Sequence, residues 1–189
     1  LLVLLYKRYY TNFGNKMSNK DRVIKELTAL MNNEDTNNCW GVDYWDDDNH
    51  DPYHWQVTII PPKESIYDGG FFKLEVKIPT DYPSSRPNIK FLTKIYHCNI
   101  GQSDGSICLS TLNNWNSNYS MEDVLNHITV LLHKQNPDSP MNGFMKDEYK
   151  NNRSQFDKNA KEWVQKYANV NVFESKIGRA VQQECRDRS

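Results

Sequence analysis

Apolar residues first recur at helical spacing. Val23, Ile24, Leu27, Leu30 and Met31 form one stripe, the recurrence of an amphipathic helix. Ser18-Asn19-Lys20-Asp21 stands ahead of it with the form of a capping box, a hydroxyl at the N-cap and an acid three residues on. The spacing predicts a helix over about 19–32, ended by Asn32-Asn33 and the polar run to Asn38. The period then shortens to two. Trp55, Val57 and Ile59 alternate with His54, Gln56 and Thr58, and Pro61-Pro62 closes the segment, because proline has no N–H for a ladder. Asp68-Gly69-Gly70 signals a turn. Phe72, Leu74, Val76 and Ile78 alternate with Lys73, Glu75 and Lys77, which predicts a half-buried strand with one wet face. Asn88 to Leu92 is a third, shorter candidate. Short strands joined by turns predict an antiparallel meander.

Residues 93–119 keep no period, yet carry the buriable Ile100, Ile107, Leu109, Leu112 and Trp115. A long irregular segment with its own apolar anchors is often functional. Ser120-Met121-Glu122-Asp123 repeats the capping signal before Val124, Leu125, Ile128, Leu131 and Leu132. That wide apolar face predicts a central helix, with Pro137 and Pro140 after its end. Phe156, Ala160, Trp163, Val164 and Tyr167 predict a last helix. Helix, then strands, then a structured loop, then helices is the order of an α+β fold. The domain is expected over residues 17–168, with 169–189 a tail and 1–16 an extension ahead of Met17. Leu1 to Leu5 are apolar, far fewer than the roughly 20 residues that span a bilayer. The trailing end of a signal or anchor is the alternative for this stretch.

Composition narrows the function classes. A chain of 189 residues with 38 % hydrophobic and 12 % aromatic residues can bury a core. A formal net charge of −1 offers no global field for nucleic acid or anionic lipid, so neither is expected as a partner. Cys39, Cys98, Cys108 and Cys185 contain no C-x-x-C pair and no zinc spacing. They are expected as free thiols in a reducing compartment, cytoplasmic and also nuclear.

Cys108 is the candidate nucleophile. Its neighbours Ile107 and Leu109 also suit a buried structural thiol. Its wider company favours chemistry: an anchored irregular loop with His97, Asn99 and a turn at Asp104-Gly105. A side-chain amide such as Asn99 can stabilise an oxyanion. A Cys–His protease is a rival, with His97, His127 and His133 as bases, but no signature of such a family is present. A metal site of His97, Cys98 and Cys108 lacks a fourth ligand at any suggestive spacing.

Seven segments resemble ubiquitin-conjugating enzymes in order and spacing. They are Tyr53-His54-Trp55-Gln56, Tyr67-Asp68-Gly69-Gly70, Pro79-Thr80-Asp81-Tyr82-Pro83, Thr93-Lys94-Ile95-Tyr96-His97, Gly105-Ser106-Ile107-Cys108-Leu109, Trp115, and Asn136-Pro137-Asp138-Ser139-Pro140. The similarity covers about residues 19–168 and is greatest to the compact branch that works with ubiquitin itself. Cys108-Leu109-Ser110 also resembles the version that conjugates the SUMO modifier, so another ubiquitin-like protein stays open, as does a non-catalytic binding module. The resemblance implies a four-stranded antiparallel meander sheet between an N-terminal helix and an active-site loop, then a central helix and C-terminal helices.

It also implies a mechanism. An ATP-dependent activating enzyme passes ubiquitin to Cys108 as a thioester. The modifier is then joined to a lysine amine of a protein substrate, usually with a ligase. Sulfur accepts and releases an acyl group readily, which divides one hard step into two. The conjugating enzyme itself needs no cofactor or metal. By the resemblance, Asn99 stabilises an oxyanion or supports the loop, and Tyr96 and His97 pack that loop. Asp138 and Ser139 stand where the family places an acidic or serine gate, and a phosphate on Ser139 would restore negative charge there. The activating enzyme is expected at the N-terminal helix, and ligases at the loops near Ser84 and Asn116. Three departures stand out. His97-Cys98-Asn99 replaces His-Pro-Asn, Ser84 replaces a phenylalanine of the first docking loop, and Asn116-Ser117-Asn118 replaces Ser-Pro-Ala in the second. Restoring proline at Cys98 is expected to stabilise by about 0.4–1 kcal/mol if φ is compatible.

Overall fold

The computed structural model describes residues 18–32, 40–45 and 48–169. The proposed extension, Cys39, Cys185 and all of the tail but Asn169 lie outside these. Helix α1 spans Asn19–Met31 and buries Val23, Leu27 and Leu30. Its capping box is formed on both sides: the Asp21 N–H donates to Ser18 Oγ, and the Ser18 N–H donates to the Asp21 carboxylate, each at 3.1 Å. Four strands follow, β1 Trp40–Tyr44, β2 His54–Ile59, β3 Phe72–Lys77 and β4 Asn88–Phe91. They pair antiparallel in chain order, the meander that the alternation predicts. β1 has no sustained alternation of its own. Its place is set by pairing with β2, Val42 opposite Val57.

Trp55, Val57, Ile59, Phe72, Leu74 and Val76 are fully buried on the inner face. The outer face of β3 is less wet than its charges suggest. Glu75 is only 6 % exposed. Its carboxylate meets Lys90 at 2.8 Å, His54 at 2.9 Å and Lys77 at 3.0 Å. Burial tends to raise the Glu75 carboxyl, but the hydrogen bonds from Lys90, Lys77 and His54 outweigh it and bring it down to about 2.

Beyond the sheet, a short helix α2, Ser110–Asn113, leads to the central helix α3, Met121–His133. The second capping box is also formed, Ser120 with Asp123. Met121, Val124, Leu125 and Ile128 are fully buried, as the wide apolar face predicts. A helix that the pattern does not predict, α4, Gly143–Asn151, precedes the last predicted one, which runs as α5, Arg153–Trp163, into a π-helical turn over Val164–Ala168. The Phe71 N–H donates to Ala168 O at 2.8 Å, tying the end of this turn to the start of β3. No helix among the described residues is long and apolar enough to cross a membrane.

Candidate active site

Two segments cross beside one another to form the site. Ile100 and Ile107 form an antiparallel bridge, and the Cys108 N–H donates to Asn99 O at 2.9 Å. Gly105 lets the intervening loop close. It has φ +70°, and a Cβ there would stand 1.9 Å from Phe91 O, so no other residue fits without moving β4. Phe91 N–H then donates to Gly105 O at 2.8 Å, which fixes the loop to the sheet edge.

Cys108 is partly exposed and Cys98 is buried; both are free thiols. Burial pushes the Cys98 thiol up to about 11, which leaves it a poor nucleophile. Cys108 lines a groove of about 440 Å³ with Leu109, Tyr119, His127, Lys134 and Asn136 among its walls. Among the described residues, the hydrogen-bond partner of its sulfur is an amide: Asn113 Nδ2 donates at 3.7 Å.

His97 is fully buried. Its Nε2 lies 3.1 Å from Leu131 O, and its Nδ1 accepts the Asn99 N–H at 3.0 Å. These partners require the neutral ring protonated on Nε2. Burial lowers the imidazole to about 4, against the opposing effect of the Leu131 carbonyl. With both nitrogens engaged, His97 braces the loop. Of the other candidate bases, His127 lines the groove, and His133 is exposed at the end of α3.

Asn99 is fully buried as well. Its Nδ2 donates to Asn136 O at 2.6 Å and to Ser139 O at 2.7 Å, and its Oδ1 accepts the Asn136 N–H at 2.8 Å. One amide thus holds the turn that carries Asp138 and Ser139. Asp138 is exposed and paired with Lys150 at 2.8 Å, and this hydrogen bond and charge lower its carboxyl. Ser139 is exposed, and its N–H donates to Asn136 O at 3.3 Å. Tyr96 O–H donates to Glu148 at 2.7 Å, and its ring packs on Phe156 and Trp163.

Pattern reading misses a buried chain beneath this loop. Cys98 N–H donates to Gln135 Oε1 at 2.9 Å, Gln135 Nε2 donates to Tyr67 Oη at 2.7 Å, and Tyr67 O–H donates to Tyr96 O at 2.6 Å. This chain reverses the expectation for proline at residue 98. Proline has no N–H to give Gln135, so its introduction would strand a buried acceptor. No group of three or more His, Cys, Asp or Glu is arranged to hold a metal among the described residues.

The loops that carry Ser84 and Asn116 meet. Trp115 Nε1 donates to Pro83 O at 2.8 Å, and Ser84 and Asn116 are both exposed beside this link.

This α+β arrangement, with a thiol in a loop braced by a buried His and Asn, is that of a ubiquitin-conjugating domain. The family model described as ubiquitin-conjugating enzyme matches residues 22–164, and the chain belongs to that family. It is a transferase by that membership. A Dictyostelium discoideum relative, ubiquitin conjugating enzyme E2 B, is 38 % identical over 152 residues, covering 80 % of this chain and 99 % of the relative. A Toxoplasma gondii ubiquitin conjugating enzyme E2 domain superposes with a TM-score of 0.70 at 30 % identity, covering 78 % of this chain and 98 % of that one. A Plasmodium yoelii structure described as a ubiquitin conjugating enzyme gives 0.72 at 32 % identity, covering 83 % and 99 %.

Proposed function

We propose that this enzyme accepts ubiquitin from an activating enzyme as a thioester on Cys108 and transfers it to lysine amines of protein substrates, usually with a ligase. The observation that carries this is the contrast between its described cysteines. Cys108 is the partly exposed thiol, in a groove and at the family's motif, whereas Cys98 is buried with its thiol raised to about 11. In this reading His97 and Tyr96 brace the loop, and Asn99 holds the turn on which Asp138 and Ser139 face the incoming amine. A lysine amine is protonated near neutral pH, with an unperturbed pKa of about 10.4, so a carboxylate on that turn would draw the ammonium in and accept its proton as a general base. Helix α1 is the docking surface for the activating enzyme, and the joined loops at Ser84 and Asn116 that for ligases. Cytoplasm and nucleus are the expected compartments.

The test is a charging assay with activating enzyme, ATP and separate ubiquitin-like modifiers on non-reducing gels. Ubiquitin is expected to give a reductant-sensitive adduct. Cys108→Ser should give one that survives reductant, because oxygen is the poorer leaving group. Charging of Cys108→Ala, with loss of charging in Cys98→Ala, would overturn the assignment. Charging by a different modifier alone would move the enzyme to another branch of the family.

A further inference from the structure

One amide at the site has no place in the mechanism above. Asn113 is the last residue of α2, and its backbone N–H donates to Leu109 O at 2.9 Å. This turn begins one residue after Cys108 and brings the Asn113 carboxamide to the Cys108 sulfur, Nδ2 to Sγ 3.7 Å. The residue is exposed, so the group can turn without breaking a buried contact. Asn99 is the opposite case. A primary amide has two donor hydrogens, and both of those on Asn99 are held by the carbonyls of Asn136 and Ser139. It has none to offer an oxyanion unless the turn is released.

We propose that Asn113 is the amide donor to the thioester oxygen on Cys108. The inference rests on the thioester reading. In the acyl-enzyme, the carbonyl oxygen stands two bonds from Sγ, within reach of a donor already in contact with that sulfur. The lysine nitrogen forms a C–N bond to the thioester carbon, and the C=O π pair moves to oxygen. The nitrogen's surplus proton passes to water. The oxyanion then re-forms C=O, the C–S bond breaks with its pair on sulfur, and the thiolate takes a proton from water. Asn113 Nδ2–H donates to the oxyanion where charge develops, then returns to the leaving sulfur. The amide stays neutral throughout.

The experiment uses the full chain charged with ubiquitin, the activating enzyme then being stopped, and follows single-turnover discharge to free lysine from neutral to alkaline pH. Asn113→Ala is expected to charge fully and melt as the parent does. It should discharge about ten- to a hundredfold more slowly at every pH, less than the 10²–10³ typical of an enclosed oxyanion hole because this site is open to water. Asn113→Gln should recover part of the rate. Asn113→Asp, nearly isosteric but without the N–H donors, should be as slow as alanine, and it serves if the alanine variant is unstable. Parent-like discharge by the alanine or aspartate variant would overturn the proposal. So would a deficit that vanishes as pH rises, which would assign Asn113 to lysine deprotonation. Failure of the parent to charge would instead overturn the thioester reading itself.

Discussion

Asn99 shows how one side chain can look catalytic in sequence and be mechanically committed in the fold. Its amide makes three hydrogen bonds to the turn at Asn136 and Ser139. Asn99→Ala is therefore expected to cost roughly 1–3 kcal/mol of stability, since two part-buried carbonyls lose their donor. Urea unfolding would measure this, and an unchanged midpoint would contradict a holding role. Cys98 makes the complementary point. Cys98→Pro removes the N–H that Gln135 accepts at 2.9 Å. The expected result is a loss of roughly 1–3 kcal/mol, the usual penalty of an unsatisfied buried group. A rise in melting temperature would show that Gln135 finds another partner.

At the scale of elements, the sheet is held on its outer face by charge. Glu75 of β3 reaches along its own strand to Lys77, across to His54 on β2, and across to Lys90 on β4. Its carboxyl is brought to about 2 in the fold, against an ordinary value of 4.5. A carboxyl lowered on folding adds stability above its unfolded pKa and loses that stability as pH falls through its folded pKa. The window here runs from about 4.5 down to about 2. Glu75→Gln should cost roughly 1–2 kcal/mol near neutral pH, discounted for the half-exposed lysines. The gap between variant and parent should close on acidification through that window. Unfolding curves at several pH values would show it, and a gap that stays constant would mean that Glu75 acts through packing, not charge.

At the scale of the molecule, α1 and the loops that carry Ser84 and Asn116 are fastened together. Glu26 accepts from Tyr82 O–H at 2.8 Å and from the Met121 N–H at 2.9 Å, and it pairs with Arg22 at 2.9 Å. Arg22 in turn donates to Tyr119 O at 3.0 Å, and Tyr119 lines the Cys108 groove. The surfaces proposed for the activating enzyme and for ligases thus share one polar tie with the wall of the active-site groove. Ser84 and Asn116 give the proposed ligase surface polar side chains, whereas apolar anchors often dominate an interface.

Periodicity and caps are local, and they were readable. The stripe from Val23 to Leu30 and the alternation of β2 and β3 set their buried faces. Both Ser–x–x–Asp boxes start a helix where their form predicts one. Seven segments in series, that around Cys108 among them, pointed to the family before any contact was known. β1 and α4 were not read from pattern. Trp40–Tyr44 contains a glycine and an aspartate, and α4 buries only Met145, so neither leaves a strong period. The buried chain from Cys98 through Gln135 and Tyr67 to Tyr96 was equally hidden. Its links span 37, 68 and 29 residues, and no local pattern marks a glutamine that will be buried. Sequence by itself determined most of the elements and the family, and it marked Cys108 as the candidate nucleophile. Tertiary structure decided which amide is engaged and which is open, because hydrogen-bond satisfaction depends on what burial brings together across the chain.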